Sequence, residues 1–282
     1  MPVHYERQGP VAVVTLDNPP LNLLDPTMLK ELHDAYVELA GDPTVHVGVL
    51  TAAGDRAFCA GDDLYADHPV ADDPRDELMR ELNPQHRRAT AGPAWEWESD
   101  LLVLERYTPV VAAVRGWCLG AGLAQLLSLS DVRIAGRSAQ FGLPEIRYGM
   151  GGGSGMARLA RWMPRGAALA LALTGEPIDA DEAHRLHLVN EVVDDDHVLD
   201  RATELAERIA GHPPLAVRIE MEAFARAAEL GPVEAVRFAE RLYQLQRLAL
   251  GETDRESYEA ARAARRERHE PPGSTDPAGG AT

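Results

Sequence analysis

Lysine is almost missing from this chain. Lys30 is the only one, arginine supplies every other fixed cation, and the net charge is −17. So acidic a chain is not a general nucleic-acid binder, and any polyanionic ligand must be met by locally placed arginines. Cysteine is nearly as scarce, with only Cys59 and Cys118. No Cys/His pattern has zinc-ligand spacing, so no metal site is expected. We expect both cysteines to be reduced, buried small residues rather than a disulfide. Long apolar runs are absent too. A stretch such as 167–173 falls far short of the roughly 20 residues that cross a bilayer. The first residues show no charged-then-apolar leader. The expectation is a cytoplasmic protein with no membrane partner.

What is present suits a soluble enzyme. In 282 residues, 45% hydrophobic, there is material for one large core and one or two domains. The first half alternates strands with helices: strand 11–16, helix 26–40, strand 46–51, helix from 63, strand 110–114, helix 121–129, strand 131–135. This α/β order builds a parallel sheet through right-handed crossovers. From about 155 the chain reads as mostly helical, with an acidic helix start at Asp179–Glu182 and helical spacing over 200–209 and 214–228. The run 252–268 is a charged helix with arginines toward its C-terminal end, where they suit the helix dipole. Residues 271–282, rich in Pro, Gly, Ser and Thr, are expected to be disordered.

Two strands carry the functional signal. Val47–Thr51 leads to Phe58-Cys59-Ala60-Gly61-Asp62, and Val110–Val114 leads to Gly120-Ala121-Gly122. Both end in glycine-bearing turns that open into helices and leave backbone N–H groups unpaired. Two such turns facing one another make an oxyanion hole. One carboxylate, Glu145, follows in Phe141-Gly142-Leu143-Pro144-Glu145, placed to move a proton.

These segments resemble the crotonase (enoyl-CoA hydratase/isomerase) superfamily, and the likeness covers most of the chain. Val11–Pro20 is similar to the family's first strand and proline turn, and Leu21–Asp25 to its first helix start. Phe58–Gly61 and Gly120–Gly122 match the two oxyanion loops. Leu173–Gly175, Ile178–Ala183 and Leu188–Val193 match the later helical signature. The resemblance implies a ββα spiral core over 1–200 and a C-terminal helical trimerisation region over 201–270. It also implies a homotrimer or dimer of trimers acting on an acyl-CoA thioester. Coenzyme A enters as part of the substrate, and no other cofactor is implied. The amides of Asp62 and Ala121 become the oxyanion donors, Ala60, Gly61, Gly120 and Gly122 the residues that shape the hole, and Glu145 the acid/base. The irregular stretch 66–99 corresponds to the acyl pocket, where Trp95 and Trp97 clamp a bulky acyl chain or else anchor the following helix.

Several departures bear on the reaction. Crotonase-type hydratases place two glutamates about the reactive carbons, because adding water takes one group to activate it and another to deliver a proton. Glu145 matches the second. The first falls on Ala124, and a one-residue insertion before Asp131 leaves Gln125 as the polar substitute; neither takes a proton at neutral pH. Isomerases of the family use a single glutamate at the position of Glu145. The preferred expectation is therefore double-bond isomerisation or another enolate-forming proton transfer. Hydration helped by Gln125, Glu96 or Glu98, decarboxylation, carbon–carbon hydrolysis and a silent CoA-binding subunit are the alternatives. The Asp62 side chain, if aimed inward, opposes an enolate. The run Gly149–Gly155 lacks the family's proline and is expected to be pliant. Asp131 is read as structural.

Overall fold

A computed structural model describes residues 1–66 and 97–249, with isolated positions at 73, 75, 78, 79, 82, 256, 259, 260 and 263. The chain divides into two compact units, Met1–His212 and Pro213–Thr282.

The first unit begins with a hairpin, β1 (Val3–Gln8) and β2 (Val11–Leu16). Helix α1 (Pro26–Gly41) follows, with Pro26 in its first turn. Its N-cap is Asp25, whose carboxylate accepts from the Met28 amide at 2.7 Å. Then come β3 (Val47–Ala52), β4 (Ala57–Cys59), α2 (Trp97–Leu102), β5 (Val110–Val114), β6 (Trp117–Leu119) and α3 (Ala121–Leu129). After these lie β7 (Val132–Gly136), β8 (Gln140–Gly142), a 3-10 turn (Pro144–Tyr148), α4 (Gly153–Trp162) and α5 (Arg165–Thr174). The unit closes with β9 (Ile178–Asp179), α6 (Ala180–Arg185), β10 (Glu191–Val193) and α7 (Val198–Ala210).

The strands form two sheets. The larger has the order β1-β2-β3-β5-β7-β10, and every pair after the hairpin is parallel. The smaller has the order β4-β6-β8-β9, with β4, β6 and β8 parallel. Each of β3, β5 and β7 in the large sheet is thus followed at once by β4, β6 or β8 in the small one. The chain winds as a ββα spiral, the architecture the resemblance implied.

Side-chain alternation explains how the central strands β3 and β5, buried along their whole length, feed both faces of the large sheet. Val110, Ala112 and Val114 of β5 join the main core, together with Met28, Leu32, Tyr36 and Leu39 of α1 and Leu123, Leu126 and Leu127 of α3. Val111 and Ala113 point to the opposite face, where α7 lays Val198, Ala202 and Ala206 along it at a spacing of one helical turn. Helix α7 therefore belongs to the first unit. That unit runs past residue 200 to His212, because those apolar side chains have their partners on the sheet.

In the second unit, α8 (Pro214–Ala227) and α9 (Pro232–Ala249) pack on each other, and neither contains a buried residue. The helix expected from residue 63 does not begin there: 64–66 form a turn, with the Tyr65 amide donating to the Asp63 carboxylate at 3.0 Å. Residues 67–72 and 83–96, most of the expected helix 252–268, and the tail 271–282 lie outside the described residues.

Candidate active site

The three parallel strands of the small sheet end side by side, and each hands its chain to one part of the site. β4 runs into Ala60-Gly61-Asp62, β6 into Gly120-Ala121-Gly122, and β8 into Leu143-Pro144-Glu145. Neighbouring strands lie about 4.8 Å apart, so segments about 25 or more residues apart in sequence become adjacent. Gly61 (φ +107°) and Gly120 (φ +55°) both adopt backbone conformations that L side chains rarely take. A Cβ placed on Gly120 would stand 3.9 Å from the Gly61 Cα and 3.2 Å from Oε1 of Glu145. One placed on Gly61 would stand 3.8 Å from the Ala121 nitrogen. The two turns and the carboxylate converge, and the positive φ at both turns favours glycine there.

The first turn is held by backbone pairing to the 21–24 segment. The Ala60 amide donates to the Leu21 carbonyl at 3.0 Å, Leu24 to Gly61 at 2.9 Å, and Asp63 to Leu24 at 3.0 Å. Asn22, almost fully buried, locks that segment in turn. Its side-chain NH₂ donates to the carbonyls of Ala53 at 3.0 Å and Ala57 at 2.8 Å, and its Oδ1 accepts from the Asn18 amide at 2.8 Å. It sits at φ 51°, a conformation asparagine tolerates better than most residues. Sequence reading alone assigns Asn22 no role; its signal was an asparagine in an otherwise apolar run before a helix cap. Asp62 itself is exposed.

The second turn is held by a helix. Ala121 opens α3, so its amide has no acceptor one turn back along the chain. Gly122 packs against the carbonyl and thiol of Cys59, where any Cβ would collide. At the other end of α3 the Tyr36 hydroxyl donates to the Leu129 carbonyl at 2.9 Å, and Arg133 donates to the Ser130 carbonyl at 3.2 Å. A cation at a helix C-terminus is favourably placed. Arg133 is buried, donates to the Leu188 carbonyl at 2.7 Å and lies 4.1 Å over the Trp162 ring. Burial pushes its pKa down to about 10. Asp131 accepts from Arg106 at 2.6 Å and from the Val110 amide at 2.8 Å, a structural clamp on the start of β5.

Glu145 lies in the 3-10 turn, closed by left-handed Gly149 and by the Met150 amide donating to the Glu145 carbonyl at 3.1 Å. Its Oε2 is buried and has no hydrogen-bond partner among the described residues. Gly152 faces that oxygen, and the glycine run becomes helical from Gly153.

Cys59 and Cys118 are free, buried and paired across β4 and β6. Burial pushes the Cys59 thiol up to about 12 and raises Cys118 likewise. Trp97 contacts α1, its ring 4.6 Å from that of His33 and its centroid 5.3 Å from the Lys30 ammonium, so it anchors α2 there. Trp95 and Glu96 lie outside the described residues. Among the described residues no cluster of three His, Cys, Asp or Glu side chains could hold a metal ion. No helix among them is long and apolar enough to cross a membrane.

Comparison with known proteins agrees with this fold. A profile of the enoyl-CoA hydratase/isomerase family matches residues 6–259. A short-chain-enoyl-CoA hydratase from Clostridium acetobutylicum is 36% identical over 229 residues, 80% of this chain and 82% of the relative. An (E)-benzylidenesuccinyl-CoA hydratase from Thauera aromatica is 34% identical over 225 residues, 79% of this chain and 82% of the relative. The crystal structure of an enoyl-CoA hydratase from Mycobacterium smegmatis superposes with a TM-score of 0.78 at 28% identity, over 94% of this chain and 97% of that one. With a ββα spiral that brings two glycine turns and one glutamate together, this chain belongs to the enoyl-CoA hydratase/isomerase family, the crotonase superfamily.

Proposed function

We propose that this acyl-CoA enzyme carries out enolate-forming proton transfer, with migration of a double bond as its reaction. The position of the Glu145 carboxylate carries the reading: Oε1 stands against the second turn, and Oε2 is buried without a hydrogen-bond partner among the described residues. The thioester oxygen lies between the amides of Asp62 and Ala121. Glu145 takes a proton from the carbon next to the thioester, and the electrons of that C–H bond pass into a dienolate stabilised by the two amides. The same carboxyl returns the proton two carbons away, so one acid/base is enough. Ala124, buried on α3, has no proton to offer. Ala60, Gly61, Gly120 and Gly122 shape the hole.

Hydration is the second reading. The hydratase relatives favour it, as does the polar side chain of Gln125 beside Ala124. We also propose that the chain assembles as a homotrimer or dimer of trimers and works in the cytoplasm. In support of assembly, Phe224, Val236, Tyr243, Leu245 and Leu248 of α8 and α9 are exposed.

Deuterium wash-in at the α-carbon of an enoyl-CoA, measured beside hydration of crotonyl-CoA, tests the reaction. Exchange and double-bond migration well above hydration are expected, and Glu145→Gln should lower both by ~10²–10⁴ while acyl-CoA still binds. Rapid hydration with slow exchange would overturn the isomerase reading. Thioester binding without any exchange would identify a silent CoA-binding protein.

A further inference from the structure

Cys59 ends β4, is 1% exposed, and has a thiol that no proton transfer described above uses. Its sulfur nonetheless meets both turns. Sγ donates to the Gly61 carbonyl at 4.0 Å, and a Cβ built on Gly122 would stand 2.7 Å from that same Sγ. Each contact bears on one of the two amides. The Gly61 carbonyl and the Asp62 N–H belong to one planar trans peptide group and point in opposite directions, so whatever holds the carbonyl aims the amide. The Leu24 amide holds that carbonyl at 2.9 Å, and the Cys59 sulfur is a further partner. Gly122 follows Ala121 directly, and its contact with the Cys59 side chain sets how closely α3 approaches β4. Protein interiors are packed too tightly for a gap there to be filled without moving its walls.

We propose that Cys59 is a positioning residue for the oxyanion hole, its sulfur being the spacer that aims the Asp62 amide and sets its separation from the Ala121 amide. An S–H group is a weak donor, so the bulk of the sulfur matters more than its hydrogen bond. Cys118, its partner across β4 and β6, is a matched control that is equally buried. The Cys118 thiol lies in the field of Arg133, whereas that of Cys59 lies beside Gly61 and Asp62. The proposal rests on the reading of the two turns as an oxyanion hole.

Two measurements on Cys59→Ala and Cys118→Ala test it. One is α-deuterium exchange on an enoyl-CoA. The other is the pH titration of bound acetoacetyl-CoA, a β-ketothioester whose enolate absorbs in the near ultraviolet. A misplacement of about 1 Å can cost on the order of 10²-fold in rate, so partial collapse in Cys59→Ala should lower the saturated exchange rate about tenfold. Half-saturation should stay within about twofold, since the loss falls on the transition state. The pH at which the bound thioester is half enolate should rise by about one unit, the same tenfold read at equilibrium. Cys59→Ser, which fills most of the gap, should recover most of both losses. Cys118→Ala should lower stability to unfolding and leave both readouts at parent values. Parent values in Cys59→Ala overturn the proposal. Equal losses in both alanine variants overturn it as well, since they would come from a generally loosened core. If the parent neither exchanges the α-proton nor shifts the enolate titration from its course in free solution, the oxyanion reading has failed, and the spacer role falls with it.

Discussion

The two glycine turns reach the same end by different means. The first, at Gly61, is an irregular loop held by three backbone hydrogen bonds to residues 21–24 and by Asn22 beneath them. The second, at Gly120, is the start of a nine-residue helix anchored from its far end by Tyr36 and Arg133. A helix start leaves amides unpaired by its own geometry, whereas a loop must be told where to point them. The first turn should therefore depend on single side chains more than the second does.

The sharpest way to test this difference is Ala121→Pro. Proline is well tolerated in the first turn of a helix, so α3 should form while losing the Ala121 N–H. Steady-state kinetics should show kcat falling by ~10²–10³ with thermal stability nearly unchanged. A folded, fully active variant would remove the second turn from the site.

A smaller effect is expected from Asn22→Ala. It leaves the buried carbonyl of Ala57 without its partner at 2.8 Å, which should cost ~1–3 kcal/mol in urea unfolding. It should also lower kcat by freeing the first turn. Tyr36→Phe removes one bond from the far end of α3 and should lower stability without a comparable loss of kcat, because the remaining anchors still hold the helix. Equal losses of kcat in the two variants would end the contrast between the turns.

The smallest effect concerns the thiols under both turns. The folded Cys59 pKa, about 12, lies above its ordinary value of 9.0. Between those values the unfolded chain has lost the proton and the folded chain keeps it, so the folded state binds more protons. Stability from this group is complete below pH 9 and declines as pH rises toward 12. Urea midpoints from pH 8 to 10.5 should fall less steeply in Cys59→Ala than in the parent. At pH 8 a thiol reagent should label neither cysteine until the protein unfolds.

Much of this was legible without coordinates. The expected strands 11–16 and 110–114 and the expected helix 121–129 have the observed limits, while the expected strands 46–51 and 131–135 begin one residue early. The two glycine turns were legible because glycine in a turn before a helix is a local signal, while Glu145 was singled out only by its place in the segment Phe141–Glu145. Strands β4, β6 and β8 were not, since three residues cannot display a period.

The sequence by itself determined the strand and helix order, the glycines at the turns and the lack of a proton carrier at Ala124. These are matters of composition and spacing along one stretch of chain. Tertiary structure alone decided that β4, β6 and β8 end side by side, that Asn22 and Arg133 fasten the two turns, that α7 belongs to the sheet, and that the Gln125 amide is buried with no hydrogen-bond partner among the described residues. Each of those joins residues far apart in sequence or depends on the surroundings of a side chain. Neither is encoded in a local pattern, because the register between distant strands and the space left around a buried group are set only when the whole core packs.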